Sequence, residues 1–236
     1  DTLEKLSAVV DDMGIELVHT HNGWVDVNVC SLLEHNPNSQ LIVTTHGMYE
    51  TIPPAELTQI LPLLEKKVGK FVYIADKNLV PFVSNSFDMD RFVKIDNASD
   101  IGPISPVSRS EINVPENAFL ICLVSRAIPE KGWQEAIEAV RLARKISKKE
   151  IHLLLIGSGT EYERLKPVIH DKYIHLLGFR ANTRDYFATS DLGLLPSRFA
   201  GESFPLVLID CFYANRPMLA SNIGEIKKMM STSSGL

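Results

Sequence analysis

From residue 118 onward, short apolar runs alternate with amphipathic helical patterns, and that rhythm leaves few folds open. The run 118–125 (AFLICLVS) is continuously apolar, as expected of a strand buried on both faces. The following stretch, 133–146, places Ala136, Ile137, Val140, Ala143 and Ile146 on one helical face. The same reading gives strands at 151–157, 173–179, 191–197 and 217–222. Helices fall at 159–170, 182–190, from near Pro205, and at 223–230. Strands and helices alternating at this spacing mean βαβ units and a doubly wound parallel sheet.

The first hundred residues repeat the rhythm less regularly. A helix over 1–14 ends at Gly14, and strands are expected at 15–21, 40–46 and 71–76, with helices at 26–35 and 54–69. Residues 101–117 hold three prolines and no clear period, which reads as a linker. The expected division is a partial domain at 1–100, the linker 101–117, and a second domain at 118–236. The chain opens on a helix and stops at STSSGL, so it is expected to be part of a longer protein, with N-terminal strands and C-terminal helices outside it.

Length and composition narrow the function classes. With 236 residues the chain can build one large or two ordinary domains. A formal net charge of −5 argues against a nucleic-acid binder. The basic clusters Lys66, Lys67, Lys70 and Lys145, Lys148, Lys149 read as solvated helix ends, with a membrane-surface role as the alternative. No apolar run approaches bilayer length and no signal peptide is visible. Cys30, Cys122 and Cys211 lack metal-like spacing and read as reduced core residues of a cytoplasmic protein.

Several residues have the chemistry of a site. Arg126 and Lys131 follow the strand at 118–125, on the edge where open α/β sheets place ligands. Two cations there suit a diphosphate; the alternative is a surface pair near Glu130 and Glu135. Gly157 and Gly159 fit the start of a dinucleotide loop, but Tyr162 stands at the third glycine position and disfavours it. His19, His21 and His46 lie at strand ends, where they either face a cleft or pack, and no zinc pattern accompanies them. Asp88 and Asp90 form a D-x-D, for which helix capping is the better reading. In 201–217 (GESFPLVLIDCFYANRP), Ser203 is a candidate N-cap, Glu202 stands just outside the helix, and Asp210 lies within it. A helix N-terminus with a nearby acid is either simply capped or flanks an anion site.

The order of these pieces carries more than any one of them. LVSRAIPEKGWQEAIEAV, LLLIGSGTEYERL, IHLLGF, YFATSDLGLLPS, ESFPLVLIDCF and RPMLAS, with LVHTH, IVTTHG and VKIDNASDI before them, resemble the retaining nucleotide-sugar glycosyltransferases of family 4, the group 1 transferases. The resemblance implies the GT-B fold, an α/β architecture of two Rossmann-like domains, with an acceptor-side N-terminal domain and a nucleotide-sugar-binding C-terminal one. It implies catalytic roles for His46 and Glu202, a donor-diphosphate site at Arg126, Lys131, Ser203, Phe204, Pro205 and Leu206, ribose contact by Asp210, and the base near Phe179 and Arg180. The implied partners are a nucleotide sugar and a glycan or glycolipid acceptor, for polysaccharide or lipopolysaccharide synthesis, with no metal and no other cofactor required. The expected station is the cytoplasm, with peripheral membrane association as an addition. Asp210 replaces the family's second Glu, and Ala98, Asn215 and Ile223 replace glycines. Those departures leave a catalytically weak nucleotide- or glycan-binding partner subunit as the alternative, with a nucleotide-sugar epimerase a more distant one.

Overall fold

The computed structural model describes residues 2–36, 38–100 and 102–231. The chain divides into two compact units. The first runs to Asn97 and takes in Ala200–Phe204 and the stretch from Lys227; the second comprises Ala98–Phe199 and Pro205–Ile226. The line between the units therefore falls after Asn97, ahead of the proline-rich stretch, and Ala200–Phe204 packs with the first unit.

The first unit contains α1 (Thr2–Asp12), β1 (Leu17–Thr20), α2 (Gly23–Leu32), β2 (Gln40–Thr45), α3 (Pro54–Lys67), β3 (Val68–Tyr73), α4 (Val80–Val83) and β4 (Phe92–Lys94). Its sheet has the order β1-β2-β3-β4, with every neighbour parallel. Leu41, Val43, Phe71 and Phe82 are buried in its core. Gly14 does follow α1, at a left-handed φ of 60°. Helix α2 starts before the expected residue 26 because the Asn22 side chain accepts from Trp24 N–H and caps it at that point. Asp88 caps a short 3-10 turn in the same way, accepting from Asp90 N–H.

The second unit runs β5 (Phe119–Val124), α5 (Trp133–Ile146), β6 (Ile151–Ile156), α6 (Thr160–Leu165), β7 (Ile174–Gly178), α7 (Thr183–Thr189), β8 (Leu192–Leu195), α8 (Leu206–Tyr213) and β9 (Met218–Ala220). Helix α9 (Ile226–Ser231) follows at the boundary with the first unit. The sheet order is β7-β6-β5-β8-β9, all parallel, so β5 is central and the winding reverses between β5 and β8. Trp133, Ile137, Leu153 and Leu155 pack in its core. Helix α6 stops at Leu165, well short of residue 170: Lys166 still has helical dihedrals and bonds Tyr162 O, but Pro167 has no N–H to continue the i→i−4 ladder. No helix among the described residues is long and apolar enough to cross a membrane.

A polar chain crosses β6 and β7. His152 bonds His175 through Nδ1 and Nε2 at 2.9 Å, and Glu150 Oε1 through its other nitrogen at 3.0 Å. Burial, then the charge of His152, lowers His175 to about 4. An unfolded imidazole titrates near 6.5, so between pH 6.5 and 4 the unfolded chain binds more protons than the folded one. Stability should therefore fall as pH drops through that window, by up to about 3 kcal/mol from this residue. Denaturation at several pH values should show a shallower decline in His175→Gln than in the wild type. Equal slopes would remove His175 as the source.

Candidate active site

In open α/β sheets the ligand crevice lies outside the strand C-termini at the point where the winding reverses. In the second unit that point is between β5 and β8, so the loops after those two strands flank it. The loop after β5 carries Arg126 and Lys131; the loop after β8 carries Pro196 to Phe199.

The loop after β5 is held by the one after β6. Ala127 N–H donates to Ser158 O at 2.8 Å, and Glu161 N–H donates to Ala127 O at 2.8 Å. Gly157 and Gly159 make the approach possible. A Cβ on Gly157 would stand 1.9 Å from Ser125 O, and one on Gly159 2.5 Å from Ala127 O, with φ positive at both. Two glycines that resemble half a nucleotide loop thus serve a backbone-to-backbone seam on either side of Arg126. Lys131, only 8% exposed, places its ammonium 4.8 Å from the centre of the Phe199 ring. The Arg126 guanidinium lies 5.3 Å from the same ring.

Helix α8 begins at Leu206, with Pro205 as its N-cap residue and no side-chain cap. The expectation of a Ser203 cap is corrected. The Ser203 hydroxyl instead accepts from Asn78 Nδ2 at 2.9 Å, a contact spanning 125 residues of sequence. Pro205 has no N–H to offer an anion, so the donors α8 can present begin at Leu206. Asp210 lies on α8, where Oδ1 accepts from Ser99 Oγ at 2.7 Å and Oδ2 from Thr183 Oγ1 at 3.3 Å. Arg184 Nε approaches it to 3.9 Å. Asn215, just past α8, takes a φ of 56°, the left-handed turn open to asparagine. Phe179, after β7, is 69% exposed, while Arg180 bonds Tyr186 Oη and the Phe179 carbonyl.

The first unit gathers a second set. His19, His21 and His46 cluster at the C-terminal ends of β1 and β2. His21 Nδ1 and His46 Nε2 are 3.1 Å apart, and His19 Nε2 lies 2.8 Å from Thr44 Oγ1. Desolvation first, then the charges of His21 and His19, push His46 below the ordinary imidazole value. That favours a neutral ring. Gly47 then turns at a φ of 95°, where a Cβ would stand 2.2 Å from Ser203 Oγ and 2.7 Å from Gly201 O. The residue after His46 therefore rests on the residues that flank Glu202. Lys77 donates to Ala200 O at 2.8 Å, and Asn97 Nδ2 to Phe204 O at 3.2 Å, which fixes the loop further. Glu202 is buried, at 6% exposed. Sequence reasoning missed Phe199 and Asn78, since their partners are brought to them only by the fold.

Among solved structures, Anabaena HepE in complex with UDP and glucose superposes with a TM-score of 0.79 at 17% identity, over 96% of this chain and 64% of that one. The fold is thus of the GT-B class, α/β with parallel sheets. Residues 118–235 match the family described as "Glycosyl transferases group 1", and the chain belongs to that family. The capsular polysaccharide biosynthesis glycosyltransferase CapH of Staphylococcus aureus is 24% identical over 237 residues, covering 94% of this chain and 63% of the relative. The lipopolysaccharide 1,2-N-acetylglucosaminetransferase of Salmonella typhimurium is 24% identical over 213 residues, covering 84% and 52%. The chain spans less than two thirds of the length of each of these proteins.

Proposed function

We propose that the full-length protein is a retaining glycosyltransferase, moving a sugar from a nucleoside-diphosphate sugar to a glycan or glycolipid acceptor. The observation that carries this reading is the pair of cations, Arg126 and Lys131, around one aromatic ring at the reversal point of the second sheet. Breaking the bond from sugar C1 to the diphosphate leaves negative charge on phosphate and positive character on the sugar. Cations and α8 N–H groups from Leu206 onward would stabilise that leaving group by fixed electrostatics. In this reading Asp210 takes ribose hydroxyls, the base lies near Phe179 and Arg180, and His46 and Glu202 serve the sugar. UDP is bound by HepE, and CapH and the Salmonella enzyme are named for capsular and lipopolysaccharide sugars. Those names support a cell-surface glycan as product; a cytoplasmic station at the membrane face is the location this reading takes.

Calorimetry with UDP, GDP and ADP on the full-length protein tests the site. The nucleotide that binds should bind Arg126→Ala and Lys131→Ala about 1–3 kcal/mol more weakly, the scale of charge-assisted hydrogen bonds. Unchanged affinity in either variant would remove that residue. Because side-chain cations neutralise the diphosphate, donor turnover in excess EDTA should equal that with magnesium. Restoration by manganese of activity lost to EDTA would overturn that part. One observation favours the second reading, a nucleotide-binding partner subunit: both Asp210 oxygens already accept hydrogen bonds from Ser99 and Thr183. Binding without transfer or hydrolysis of any donor would establish it.

A further inference from the structure

We propose that Phe199 is a positioning residue for the diphosphate, acting through the two cations that share its ring. This rests on the diphosphate reading of Arg126 and Lys131. Three features of the second unit converge on it. The first is the shared ring itself, with the guanidinium at 5.3 Å and the ammonium at 4.8 Å from its centre. Both distances lie within cation–π range, and the attraction grows when the cation is desolvated, as Lys131 is.

The second is the way the ring is held. Arg198 N–H donates to Glu130 O at 2.7 Å, Arg198 Nη2 donates to Pro129 O at 3.2 Å, and Arg198 Nη1 pairs with Glu135 at 2.5 Å. Phe199 is thus the next residue after a tie that joins the loop following β8 at two points to the loop that carries Lys131 and at a third to the first turn of α5. The third is Gly132, whose Cβ would stand 2.4 Å from Pro196 O at a φ of 75°. A side chain there would force the two loops apart, so the glycine keeps Lys131 and the Pro196–Phe199 stretch in register.

The physical consequence follows from charge. Two cations placed around one ring repel one another when no anion lies between them. A ring quadrupole facing both of them offsets part of that repulsion and reduces the side-chain freedom lost on binding. The anion then meets cations already in place.

The test uses full-length protein, with UDP and base-free inorganic pyrophosphate as probes. Phe199→Leu should weaken both about tenfold, the scale of a desolvated cation–π contact. Phe199→Tyr, which keeps the ring face, should restore both. In a background of Arg126→Ala with Lys131→Ala, Phe199→Leu should cost nothing further, because the cations it acts through are gone. Wild-type affinity in Phe199→Leu, failure of Tyr to rescue, or the same tenfold loss without the cations would overturn the proposal. Cation variants that bind UDP normally would instead remove the diphosphate reading, and this inference with it.

Discussion

Glu202→Gln should bind UDP as tightly as the wild type and transfer sugar about 100-fold more slowly, the usual cost of losing one preorganised electrostatic contact. On the proposed reading, the separation arises because UDP lacks the sugar that Glu202 would contact. Position is not what the substitution disturbs. The loop around Glu202 is fixed by Lys77 on Ala200, by Asn78 on Ser203 and by Gly47 packed against Gly201 and Ser203. Glutamine keeps the shape and removes the charge. If Glu202 were only a charge near the start of a helix, it would contribute about 0.3–1 kcal/mol to stability and nothing to rate. Nucleotide affinity, donor turnover and melting temperature on this one variant decide between the two, and normal turnover would sink the catalytic role.

Gly157→Ala should destabilise the protein by roughly 3–5 kcal/mol, combining an unfavourable backbone conformation with a steric conflict. The new Cβ would stand 1.9 Å from the carbonyl oxygen of Ser125, with φ at 146°. Backbone atoms at the end of the central strand would have to move, and Arg126 is the next residue. Nucleotide affinity should therefore fall with stability. Gly14→Ala is the control: its φ is also positive, but nothing lies within 4 Å, so the cost should be only about 1 kcal/mol. Urea denaturation of both variants tests the seam. A Gly157→Ala protein no less stable than Gly14→Ala would show that the seam relaxes freely.

What was legible in the sequence, and what was not, follows the range of the interactions concerned. Strand β5 and helix α5 show in the pattern because burial on both faces and on one face leave different periodicities. Asn22 before α2 and Pro167 after α6 are local signals, and reading them would have corrected both helix limits. Ser203 is different. Its composition suits a cap, yet a distant asparagine competes for the hydroxyl and the helix starts three residues later. Gly157 and Gly159 are recognisable as unusual, but whether they approach a phosphate or a carbonyl depends on the strand beside them. Arg126 and Lys131 are legible as cations after a strand. Phe199, 68 residues beyond Lys131, becomes part of their surroundings only once β8 lies against β5.

That pairing has a kinetic side. Every neighbour of β5 is parallel to it, so neither can be reached by a hairpin. One flank waits for β6, beginning at Ile151, and the other for β8, beginning at Leu192. A ribosome must therefore emit some seventy further residues after β5 before its second edge can close, and until then a strand whose Leu120, Cys122 and Leu123 end fully buried has an open edge. Contacts of such long range are slow to form because loop closure precedes their reward. The reversal of winding between β5 and β8 thus makes that junction a late event in the folding of the second unit, and the place where a half-made chain is most exposed to wrong partners.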